Sequence, residues 1–184
     1  MTAFPETGAL RIVRSMCIGV LLLLASHATA REDGHITLRL PDEELNLPLS
    51  AGHSDWTSSQ GFVQVSILTR PDDLDTWQRF QSLRLAFDLL RNRAQMPEMS
   101  LLRRTGDAAF ERWYGRADRG GLSVTVSDQA RNGDLLHIRG KFAGTLGRSR
   151  DFGQTIDIST PMPVSGTFEV TLMPIARSRQ TSDP

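Results

Sequence analysis

From Gly34 onward the chain alternates apolar and polar residues in short runs broken by Gly, Pro, Asn and Asp, the pattern of half-buried strands. Residues 35–40 point Ile36, Leu38 and Leu40 one way, and 62–69 do the same with Val63, Val65 and Ile67. Residues 83–89 align Leu83, Leu85, Phe87 and Leu89 as a strand, although Phe80, Leu83, Phe87 and Leu90 also fit a helical spacing. Just upstream, RPDDLDTWQRF reads as a turn opening a short helix, with Asp72 or Asp73 capping its free amides.

Residues 99–104 and 109–115 form two further runs, joined through Thr105, Gly106 and Asp107 as a hairpin link. Residues 121–128 bury Leu122, Val124 and Val126, and Asn132-Gly133-Asp134 turns the chain into LHIRGKFAGTL, residues 136–146. That strand sets Leu136, Ile138, Phe142 and Leu146 against His137, Arg139 and Lys141, with Gly140 and Gly144 on the buried side, where a missing side chain signals a bulge or the close approach of another backbone. Residues 154–160 and 165–175 complete the set, the first burying Ile156 and Ile158, the second Phe168, Val170 and Leu172. The fold expected is all-β, an antiparallel sandwich of about seven to nine short strands.

The first thirty residues differ from the rest. Arg11 and Arg14 precede the apolar run Met16–Ala25, and Ala28-Thr29-Ala30 supplies small residues for cleavage, the three parts of a Sec-type signal peptide. The run falls short of the roughly 20 residues that a membrane helix needs, and Arg11 and Arg14 are not the adjacent pair of twin-arginine export. The organisation expected is a cleavable signal at 1–30, one β-sandwich domain at 31–175 and a disordered tail at 176–184, with periplasmic or extracellular localisation and no transmembrane segment in the processed chain.

Cys17 is the only cysteine of the 184 residues, so the processed chain is expected to form no disulfide. The 21 basic and 21 acidic residues of the full chain balance, and loss of Glu6, Arg11 and Arg14 shifts the net charge to about −1. No general field draws in nucleic acid, and a charged site has to be local.

The basic row His137, Arg139 and Lys141 is the first candidate. If 134–146, 154–160 and 165–175 form a meander, Asp157 and Glu169 share its face and neutralise it, the simpler account. The loop GRSRDFG then leaves Arg148 and Arg150 as a basic edge toward an anionic ligand. Trp113 and Tyr114, adjacent in a strand, point to opposite faces, so one of them is expected at the surface, and Trp113 is a candidate for stacking on a sugar. The low-specificity set of ligand-binding candidates is Arg139, Lys141, Arg148, Arg150 and Trp113.

Catalytic signatures are sparse. GHSDW and GRSRD do not match the nucleophile elbow. His53, Ser54 and Asp55 have triad residue types, but neighbours in a chain do not converge as nucleophile, base and orienter. The DFG at Asp151–Gly153 lacks the other kinase motifs. His35, His53 and His137 show no metal-binding spacing, and Asp72–Asp75 lacks the glycine and distal glutamate of a calcium loop. No catalytic residue, metal or cofactor is assigned. The function expected is a non-enzymatic binding or accessory module of the cell envelope, its partner an envelope component or polymer. The alternative is a small hydrolase or carbohydrate-binding module whose site forms only in the fold, with Asp55 and His53 or His137 as acid and base.

Overall fold

A computed structural model describes residues 33–104 and 109–175. The expected signal peptide at 1–30, the expected Thr105–Asp107 link and the expected tail at 176–184 lie outside these residues. The described chain is almost entirely β: β1 (Asp33–Arg39), β2 (Glu44–Pro48), β3 (Asp55–Ser59), β4 (Phe62–Thr69), a short helix α1 (Leu74–Arg79), β5 (Phe80–Leu90), β6 (Arg93–Arg103), β7 (Glu111–Arg116), β8 (Ser123–Asn132), β9 (Leu135–Arg148) and β10 (Asp157–Pro174). Among the described residues no helix is long and apolar enough to cross a membrane.

All ten strands belong to one sheet, in the order β2-β1-β10-β3-β4-β5-β6-β7-β9-β8. The order also closes on itself, because β9 pairs with β10. β7 meets β9 at Arg148 and Gly147, near the β9–β10 loop, and β3 meets β10 in parallel at Met173 and Pro174, the opposite end of the long hairpin. The antiparallel run from β3 to β7 therefore arches from one end of the β9–β10 hairpin to the other. Alongside, β8 pairs with β9 and the β1–β2 hairpin with β10. The rings of Phe87 on β5 and Phe168 on β10, strands that do not pair, lie 5.8 Å apart across the interior.

One apolar cluster fills that interior, drawing Ile36 and Leu38 from β1, Ile67 from β4, Leu83 and Leu85 from β5, Met99 and Leu101 from β6, and Leu136 and Ile138 from β9. Alternation produces it directly: in β9 every second residue from Leu136 to Phe142 is buried. Phe168 lies opposite Gly140, and Phe142 opposite Gly166. A Cβ on Gly140 would come within 2.5 Å of Phe168 Cζ, and one on Gly166 within 2.6 Å of Phe142 Cζ. Each phenyl ring thus lies over the bare backbone of its cross-strand glycine, which is the close approach the two glycines permit.

Several expectations change. Residues 83–89 are strand, as alternation required. The runs at 154–160 and 165–175 are one strand, not two, and pairing with β9 shifts register between Asp157 and Met162. Ile158 falls in that irregular stretch and is 53% exposed, where the sequence pattern buried it. The run expected at 99–104 belongs to the longer β6, with Pro97 inside it, next to a register irregularity in the β5–β6 ladder that tolerates a residue without an N–H. Arg91 and Asn92, both at positive φ, form the two-residue turn between β5 and β6.

Candidate functional site

Strands β8, β9, β10 and β1 lie side by side, and their registers set outward side chains in rows. One row runs Asp128, Arg139, Glu169, His35; the next runs Thr125, Lys141, Thr167, Thr37. On the other side of the first lies Ala130, His137, Thr171, Asp33. Rows follow one another at about 7 Å, two residues along a strand.

Arg139 Nη2 donates to Glu169 Oε1 at 2.7 Å. That bond raises the Arg139 pKa above its ordinary value, and it is also the main cause holding the Glu169 carboxyl below its own, with the charges of His137 and His35 adding to it. Cross-strand pairing thus neutralises Arg139, as alternation implied. Asp157 does not take part, since it lies opposite Arg148. Lys141 has no carboxylate within ion-pair distance among the described residues; its cross-strand neighbours are the hydroxyls of Thr125 and Thr167. These residues, with His35, Ser127, Arg139 and Glu169, line a groove of about 490 Å³ whose floor includes Gly140 and Phe168. A second groove, of about 400 Å³, shares His35 and Glu169 and adds Asp33, His137 and Thr171.

His35 and His137, a hundred residues apart in sequence, therefore meet on one surface with Glu169 between them. Sequence reasoning missed this, because only the β1–β10–β9 register reveals it. Among the described residues, no three His, Cys, Asp or Glu side chains are grouped to hold a metal ion.

The other candidates are placed differently. Arg148 Nε lies 3.3 Å from Glu111 Oε2, and its guanidinium lies over the Trp113 ring at 5.1 Å. Trp113 is only 7% exposed and Tyr114 8%, which corrects the expectation that one of them reaches the surface. They do face opposite ways, Trp113 into the apolar cluster. Tyr114 is covered by the loop after β9, where a Cβ on Gly153 would fall 2.7 Å from its ring. That loop is tied by the Ser149 hydroxyl donating to Asp151 and by the Thr155 amide donating to the same carboxylate, each at 2.8 Å. These bonds, the Thr155 amide first, lower the Asp151 pKa from 3.8 to about 2. Arg150 is exposed on this loop. Arg139 and Lys141 share the strand face, whereas Arg148, Arg150 and Trp113 cluster around the β9–β10 loop.

Asp73 caps α1 by accepting from the Thr76 amide at 2.7 Å, the role read from its position. Ser50 Oγ and His53 Nδ1 lie 3.4 Å apart in an exposed turn. Asp55 lines a groove with Arg84, Asp88 and Glu98 on β3 to β6, and this groove shares no residue with the one that His137 lines.

No protein-family model matches the chain, and no curated protein or solved structure matches it either.

Proposed function

We propose that the protein is an exported, non-enzymatic module of the cell envelope that binds an anionic polymer across the outward face of β8, β9, β10 and β1. The carrying observation is Lys141, an ammonium set between two threonines in a groove and with no carboxylate within ion-pair distance among the described residues. An ammonium ringed by hydroxyls suits a carboxylate, sulfate or phosphate: the cation supplies the charge and the hydroxyls supply oriented donors. The open run of rows along the strands suits an extended chain better than a compact substrate. In this reading the strands fold over as the two layers of a sandwich, with β8-β9-β10-β1-β2 in one and β3 to β7 in the other; the Phe87–Phe168 contact supports it. Export rests on the composition of residues 1–30.

Titration of the processed protein with polygalacturonate and with dextran sulfate tests the reading, neutral dextran being the control. Binding to the charged polymers that Lys141→Ala weakens about tenfold, the loss of one charge-assisted bond, is the expected result. Equal binding by the variant, or none by the wild type, contradicts it. A catalytic reading would require Asp55 and His53 or His137 to share a pocket, and Asp55 and His137 line separate grooves.

A further inference from the structure

We infer that the polymer-binding face is an acid-strengthened one, in which His35 and His137 turn a net negative surface into a net positive one as the pH falls. The inference rests on the binding reading above and deepens it by assigning a regulation to the same site.

The geometry carries the argument. Glu169 is central on this part of the face: His35 lies directly across the β1–β10 pair, Arg139 directly across the β9–β10 pair, and His137 one row along on β9. Both imidazoles line the same groove as the carboxylate. The charged groups facing them can be taken element by element. β1 adds Asp33 and, one row beyond Lys141, Arg39, which Glu44 of β2 pairs; β10 adds Glu169, β9 adds Arg139 and Lys141, and β8 adds Asp128. β2 brings only Pro48 opposite His35, and Arg131 of β8 lies over the Trp56 ring on a different surface.

With neutral imidazoles, and with Arg39 and Glu44 cancelling as a pair, three carboxylates face two permanent cations, and an incoming polyanion meets a slightly repulsive surface around the Lys141 groove. Imidazole is the side chain that gains charge between pH 8 and pH 5. Two added protons reverse the sign of the surface. They also place cations on both sides of Glu169, which then competes less well with the polymer for the groove. The Glu169 carboxyl, lowered first by its bond from Arg139, stays ionised through this range.

The test is equilibrium binding of polygalacturonate, whose carboxylates stay largely ionised, at pH 7.5 and pH 5.5 and constant ionic strength, with the wild type, His35→Gln/His137→Gln and Lys141→Ala. The expected result is an affinity gain of about tenfold or more on acidification in the wild type, reduced to about twofold or less in the double histidine variant. Lys141→Ala should bind more weakly at both pH values while keeping the gain. A double histidine variant that gains as much as the wild type overturns the acid strengthening and leaves the binding reading standing. Absence of wild-type binding at both pH values overturns the binding reading, and the inference with it. Each single variant, His35→Gln and His137→Gln, is expected to keep part of the gain, because the two imidazoles act on the same carboxylate from different strands; full retention in both contradicts their joint role.

Discussion

Gly140 shows how much a single residue can determine here. Its missing side chain leaves room for the Phe168 ring on one side and the Thr125 carbonyl on the other, both within 2.5 Å of where a Cβ would stand. Gly140→Ala is expected to lower stability by about 1–3 kcal/mol, the usual cost of overpacking, read as a shift in urea midpoint; an unchanged midpoint would mean that the strands part without penalty. The sequence marked Gly140 as a bulge or a point of close backbone approach from its phase within the strand; the register chooses between these and names the Thr125 carbonyl and the Phe168 ring as what approaches. Asp151 offers a second test. Its carboxyl is lowered to about 2 by the Thr155 amide and the Ser149 hydroxyl. A folded value below the unfolded one means that its stabilisation is present in full above about pH 4 and is lost as the pH falls toward 2. Asp151→Asn should therefore flatten the decline in stability over that interval, measured by chemical denaturation at stepped pH, and an identical decline would contradict the assignment.

At the scale of elements, strands with clean alternation were legible. β4 and β9 match their sequence patterns closely, and the helical spacing within β5 did not prevail, because Leu83, Leu85, Phe87 and Leu89 all have buried places on one side of a sheet. Elements with little apolar signal escaped: β3 buries only Trp56 among its five residues, and β10 looked like two strands because its exposed first stretch carries Ser159, Thr160 and Pro161. The candidate site was half legible for the same reason. One strand's alternation shows which residues share a face, so Arg139 and Lys141 were found; assembling His35, Thr125 and Thr167 around them takes contacts between strands far apart in sequence. The long β9–β10 hairpin is flanked along most of its length, whereas among the described residues β8 pairs only with β9. Amide hydrogen exchange should accordingly be slowest in the central parts of β9 and β10 and faster in β8. Equal protection in β8 would point to an additional strand covering that edge.

For the whole molecule, the apolar interior forms one connected cluster contributed by both ends of the chain, β1 and β10 included. Unfolding is therefore expected to be a single cooperative transition, and separate transitions by two spectroscopic probes would contradict it. Near one end, Arg103 bridges Asp42 and Glu43, and Arg79 also pairs with Glu43, which ties the β1–β2 loop to α1 and to the end of β6. The proposed function rests instead on the β8-β9-β10-β1 face, where Lys141 has no ion-pair partner among the described residues and His35 and His137 flank Glu169. The most direct test of that assignment is a nuclear magnetic resonance titration of residues 31–184 with short oligogalacturonates. The account predicts amide shifts centred on Thr125, Arg139, Lys141 and Thr167. Shifts centred instead on Arg148, Arg150 and Phe152, or on the groove beside Asp55, would contradict it.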